Sequence, residues 1–159
     1  MYNDSVKDTY TKAIDREVFT FVCKTVNGEQ TTPITVGFVN EEMGRRINQL
    51  TGLDVVGNRI ILTSDAVVHI LKRHGTSGGA DSSMADYNDI ARMCYVLSNY
   101  DEIEYKGMKS HSLLTKDGNH APHIVIKKRI NGFYYVVEAV SDGKMHTNTV
   151  VSAYKTNSD

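Results

Sequence analysis

The chain is poor in cysteine and proline, with two of each, and its formal net charge is −1 over 159 residues. Each scarcity excludes something. Cys23 and Cys94 have no CxxC or Cys/His ligand spacing and are too few for a disulfide framework, so they read as reduced core thiols. No apolar run approaches the roughly 18 residues needed to span a bilayer, so no membrane partner is expected. The stretch MYNDSVKDTYTKAIDREV has no apolar h-region and predicts no secretory signal. No repeat or low-complexity tract is present. The length suits one domain with a proper core, with room for an extra element at one end.

Near-neutrality hides an asymmetry. Residues 59–75 carry three basic and one acidic side chain, and residues 105–159 carry eight basic and four acidic. Residues 81–104 carry one basic and six acidic. If the fold joins the two basic segments, phosphate is the natural partner. Charge alone favours the simpler reading of a solvated face.

Residues 2–16 read as a short polar helix or a loose arm. EVFTFVCKTV (17–26) alternates and is rich in β-branched and aromatic residues, which predicts a strand. With ITVGFV (34–39) beyond the Asn27-Gly28 turn signal, it predicts a hairpin. Asn40 is a candidate N-cap for a helix with Met43, Ile47 and Leu50 on one face, ended by Gly52. RIILT (59–63) is a short strand. Ser64 or Asp65 then caps AVVHILKRH, and Gly75 stops it. TSGGADSS (76–83) is a flexible loop by composition. Asp86 opens a helix to about Ser98 with Ile90, Met93, Cys94 and Leu97 as its core stripe. DEIEYKG (101–107) is an edge strand, and 108–121 a loop containing a weak strand.

The last third is the clearest. HIVIKKRI (123–130), Asn131-Gly132 and FYYVVEAV (133–140) form a β-hairpin signal. Ser141-Asp142-Gly143 turns into a third strand, KMHTNTVVSAYK (144–155). Pairing Lys127 with Val136 puts Ile124, Ile126, Tyr135, Val137 and Ala139 on an apolar face. Lys127, Arg129, Tyr134 and Glu138 then share the other face. The third strand has two registers open: either Thr147, Thr149 and Val151 face Lys127, or His146, Asn148, Val150, Ser152 and Tyr154 do.

VVHILKRHG (67–75) raises the question of a site. His69 and Arg73 are helical neighbours with Lys72 beside them. His69 and His74 are five apart and diverge by roughly 140°, which disfavours a shared metal ion. His74 at the helix C-terminus fits either a cap stabiliser or a working group facing a cleft.

The ordered set NRIILTSDAVVHILKRHG, MADYNDIARMCYVLSNYDEIEYKG and HIVIKKRINGFYYVVEAVSDGKMHTNTVVSAYK resembles the phage-associated barnase–EndoU–colicin–RelE-like nucleases. The resemblance covers about residues 52–155. It implies an α+β fold, an antiparallel sheet packed against helices, with a nuclease domain at 52–159. Residues 1–51 are then an N-terminal extension of strands and a helix, packed on that domain or continuous with it. It also implies metal-independent endoribonuclease activity of phage or toxin type, needing no cofactor. His69 and His74 match the histidine signature, Lys127 the basic sheet position, and Ser152 and Tyr154 the polar pair of the last strand. A sheet glutamate serves as base in barnase-like enzymes, which makes Glu138 an alternative base. The resemblance favours the register that faces Ser152 and Tyr154 to Lys127.

Such a set suits transesterification by the RNA 2′-hydroxyl. Histidine works as acid or base near neutral pH. Lys127 and Arg73 suit the phosphate, Lys72 and Arg129 the neighbouring backbone, and Tyr134 or Tyr154 can stack on an unpaired base. The expected substrate is tRNA or another host RNA in the bacterial cytoplasm, with carriage by a phage particle as the alternative route. Expected protein partners are an immunity or antitoxin protein or a phage structural protein. The competing expectation is a non-catalytic nucleic-acid- or protein-binding module of phage origin, which the near-zero charge favours.

Overall fold

The computed structural model describes residues 4–109, 121–142 and 146–157. The elements in chain order are α1 (Asp4–Lys12), α2 (Arg16–Val26), β1 (Ile34–Phe38), α3 (Glu41–Thr51), β2 (Arg59–Leu62) and α4 (Ser64–His74). Then come α5 (Tyr87–Ala91), α6 (Met93–Ser98), β3 (Glu102–Lys109), β4 (Ala121–Ile130), β5 (Phe133–Asp142) and β6 (Thr147–Asn157). The strands form a six-stranded sheet in the order β1-β2-β6-β5-β4-β3. This is the expected α+β architecture. All neighbours are antiparallel except β2 and β6, which run parallel. Among the described residues no helix is long and apolar enough to cross a membrane.

The helices pack on one face of the sheet. Ile124, Ile126, Ile130, Tyr135, Val137, Val150 and Ala153 meet helix residues such as Phe21, Ile47, Val67, Ile70, Ile90 and Met93 in one buried cluster. The predicted hairpin geometry holds: Lys127 pairs with Val136 and Ile130 with Phe133, across a turn in which Gly132 takes a φ of 96°. β3 is the expected edge strand. Most of the expected 108–121 loop lies outside the described residues, as do residues 143–145 of the β5–β6 turn.

Three local expectations fail. EVFTFVCKTV is helical, not a strand, so no hairpin forms with β1, which pairs with β2 instead. The Asp15 side chain caps this helix by accepting from Val18 N (3.0 Å), and Val18, Phe21 and Val22 bury one stripe of it. Alternation and the i, i+3, i+4 stripe coexist in this short run, and burial chiefly against α5 and α4 decides. The cap of α4 is Thr63, whose hydroxyl accepts from Ala66 N (3.1 Å), rather than Ser64 or Asp65. The helix expected from Asp86 to Ser98 is two short helices broken at Arg92, whose guanidinium binds the Asp89 carboxylate and the Thr11 carbonyl.

The third strand resolves its two registers by using both. Ser152 pairs with Glu138 and Val150 with Ala139, so Val151 is an extra residue, a β-bulge. Before the bulge Thr147 and Thr149 lie on the Glu138 side; after it Ser152 and Tyr154 do. Asp142 pairs with Thr147, so Ser141 and Asp142 extend β5 instead of turning the chain.

The N-terminal third contributes to the same sheet and core. β1 is the sheet's outer strand beside β2, while Tyr10, Val18, Phe21 and Val22 enter the central cluster. Tyr10 donates to Asp89 (2.6 Å), which also binds Arg92 (2.6 Å) and Lys155 (2.8 Å), and Asp89 is 7% exposed.

Candidate active site

The sheet face opposite the helices carries polar groups in cross-strand rows. One row is Glu102, Lys127, Val136 and Tyr154; the next is Glu104, Val125, Glu138 and Ser152. His123, opposite Val140, lies one row further. Adjacent strands are about 4.8 Å apart, so Lys127 and Tyr154 are separated by roughly 10 Å across the sheet.

α4 reaches this face at a place where the sheet is incomplete. β2 pairs only with residues 147–149 of β6. Beyond them α4 packs against β6. The His74 ring stacks on Tyr154, with centroids 4.9 Å apart and planes at 25°. His69, one and a half turns earlier, lies within the electrostatic reach of Glu138 and His74. Helix and sheet thus bring His69, His74, Glu138 and Tyr154 together. The two histidines diverge around α4, yet His69 stays within electrostatic reach of both His74 and Glu138.

Glu138 is the centre of this group. Its Oε1 bonds His123 Nε2 at 2.8 Å. Burial, then the Glu138 charge and a hydrogen bond to it, push the Tyr154 phenol up to about 12. His69 is held below its ordinary value by burial, reinforced by Arg73 and His74 and opposed by Glu138. A neutral imidazole at pH 7 is the form that accepts a proton.

Lys127 does not face the histidines alone. Its ammonium donates to Glu104 Oε1 at 2.8 Å, and that hydrogen bond raises its pKa while lowering that of Glu104. Arg129 is exposed opposite the half-buried Tyr134, with its backbone N–H on Asp101 (2.6 Å). Lys72 and Arg73 are exposed on α4. Ser152 is buried at 7% exposure beside Glu138. Among the described residues, no His, Cys, Asp or Glu side chains are grouped in threes that could hold a metal ion.

A family model described as phage-Barnase-EndoU-ColicinE5/D-RelE like nuclease 3 matches residues 37–159. The chain belongs to this nuclease family. No curated protein and no solved structure matches it. The match begins inside β1, so α1, α2 and the start of β1 lie outside it while packing into the nuclease's core.

Three residues of the nuclease's candidate site were missed by sequence reasoning. His123 and Glu104 had a usable signal, because strand alternation puts both on the Glu138 face once the pairing is known. Asp81 had none. It lies in TSGGADSS, which composition marks as flexible, yet this loop is tied to α4 by backbone bonds. Gly79 N binds Lys72 O (3.0 Å), Ala80 N binds Arg73 O (2.9 Å), and Met84 N binds His74 O (2.8 Å). Gly78 permits the wrap, since a Cβ there would collide with the carbonyl oxygens of Asp81 and Arg73. Gly78→Ala is therefore expected to destabilise the fold by about 1–3 kcal/mol in urea unfolding, because both colliding atoms are backbone.

Proposed function

We propose that this nuclease cleaves RNA without a metal ion, by attack of the 2′-hydroxyl on the adjacent phosphate. The observation that carries the reading is the convergence of His69, His74, Glu138 and Tyr154 where α4 meets the sheet. The reaction needs a proton acceptor for the 2′-hydroxyl and a donor for the 5′-oxygen. His69, neutral at pH 7, takes the first role, and His74 complements it. Glu138 is the alternative base, being held in place by His123. Lys127 meets the phosphate when Glu104 yields it, with Arg73, Lys72 and Arg129 along the backbone and Ser152 orienting the scissile nucleotide. Tyr134 offers a ring to an unpaired base. The substrate class is tRNA or another host RNA, and an immunity or antitoxin protein, or a phage structural protein, is the protein partner this reading implies.

The test is incubation of purified protein with mixed RNA in excess EDTA, followed by analysis of product ends. Expected are 2′,3′-cyclic phosphates, with activity reduced about 10²–10⁴-fold in His69→Ala and strongly reduced in Lys127→Ala. With His69 as base, the acidic rise of kcat/KM falls below pH 6.5, its ordinary value. Activity abolished by EDTA would sink the metal-free mechanism. RNA retained without cleavage would favour the second reading, a binding module; its supporting observation is that Lys127 is already engaged by Glu104.

A further inference from the structure

We infer that Asp81 is a positioning residue that fixes His74 as its Nδ1–H tautomer and leaves Nε2 to exchange a proton with substrate. The catalytic part of this inference rests on the nuclease mechanism proposed above; the tautomer part does not.

The geometry is a closed circuit. Asp81 Oδ1 lies 3.0 Å from His74 Nδ1 and accepts from Ser83 N at 2.9 Å. Ser83 Oγ accepts from Lys155 N at 3.1 Å. Lys155 follows Tyr154, whose ring stacks on His74 and returns to the start. One carboxylate oxygen therefore holds the imidazole, the loop and, through Ser83, the β6 backbone in one register. The His74 ring has little freedom left: the residue is 8% exposed, and both its face and one nitrogen are engaged.

The chemistry of the pair sets the proton. Burial opposes ionisation of Asp81, but the Ser83 N–H and His74 outweigh it and hold the carboxyl below its usual range. An ionised carboxylate only accepts hydrogen bonds, so the shared proton sits on Nδ1. The hydrogen bond at one ring nitrogen fixes which form the other presents. A residue contributed from the neighbouring loop thereby makes His74 an oriented proton carrier.

Long-range ¹H–¹⁵N correlation spectra of the labelled protein at pH 8 test this directly. Wild type is expected to show His74 protonated at Nδ1, with the Nδ1–H share falling in Asp81→Ala. Cleavage of RNA by that variant is expected to fall about tenfold to a hundredfold in kcat, with KM within about twofold. Should Asp81→Ala unfold, Asp81→Leu keeps the side-chain bulk but offers no acceptor oxygen, so the same fall is expected. His74 protonated at Nε2 in wild type, or a tautomer unchanged in both variants, overturns the inference. So does a changed tautomer with unchanged kcat. If wild type cleaves no RNA, the proposed reaction fails, and the spectra still decide whether Asp81 sets the tautomer.

Discussion

Glu138→Gln is expected to lower kcat for RNA cleavage about 10²–10⁴-fold, the range for removal of a positioned acid–base group, while leaving the fold intact. Glutamine preserves the shape and the oxygen that receives the His123 bond, so the sheet loses no packing. What disappears is the negative charge that His69 and Tyr154 both feel. Loss of that charge removes a proton acceptor if Glu138 is the base, and the field that supports a histidinium if His69 is. Single-turnover cleavage alongside thermal unfolding separates chemistry from folding. Activity within tenfold of wild type, in a folded variant, would take Glu138 out of the reaction.

The largest stability effect is expected at Asp89. Asp89→Ala should cost about 3–5 kcal/mol in urea unfolding, the range for breaking a buried ion pair by removing one partner. The carboxylate receives Tyr10, Arg92 and Lys155 at once, and its loss strands two cations in a poorly hydrated place. The same group gives a pH dependence. Burial raises its pKa, but the Lys155 and Tyr10 hydrogen bonds outweigh burial and depress it below the ordinary carboxylate value. A depressed folded-state pKa means the stabilisation is present above the unfolded value, near 4, and is lost as pH falls through the folded one. Urea midpoints in wild type should therefore drop steeply below pH 4, and less steeply in Asp89→Ala.

Much of this was legible in the residues, for stated physical reasons. The β4–β5 hairpin was, because an Asn-Gly turn between alternating runs leaves one register. So was the face shared by Lys127, Tyr134 and Glu138, which follows from that register. The ending of α4 at Gly75 was legible too, although the glycine is extended there (φ −84°, ψ −165°) and is needed because a Cβ would meet the Leu71 carbonyl. Other features were hidden. Strict alternation has no way to express an inserted residue, so Val151 made two incompatible readings of β6 each half right. The helix at Arg16–Val26 was masked by β-branched and aromatic residues whose burial is decided by distant partners. The hold of Asp81 on His74 is a contact between a loop and a helix end, and composition is silent about such contacts. His123 and Glu104 share the face, but each reaches its partner, Glu138 or Lys127, along a diagonal between strands, which the register of directly opposed pairs does not display.

The Lys127–Glu104 pair changes how ionic strength should act on this face. A basic residue exposed to solvent gathers mobile counterions, and a phosphate that displaces them gains their release. Lys127 instead has its counterion built into β3. In the proposed complex, seating a phosphate there exchanges one fixed anion for another and frees no salt ion. Contacts at Lys72, Arg73 and Arg129 would carry the salt dependence of binding, while Lys127 would act in the chemistry nearly independently of ionic strength.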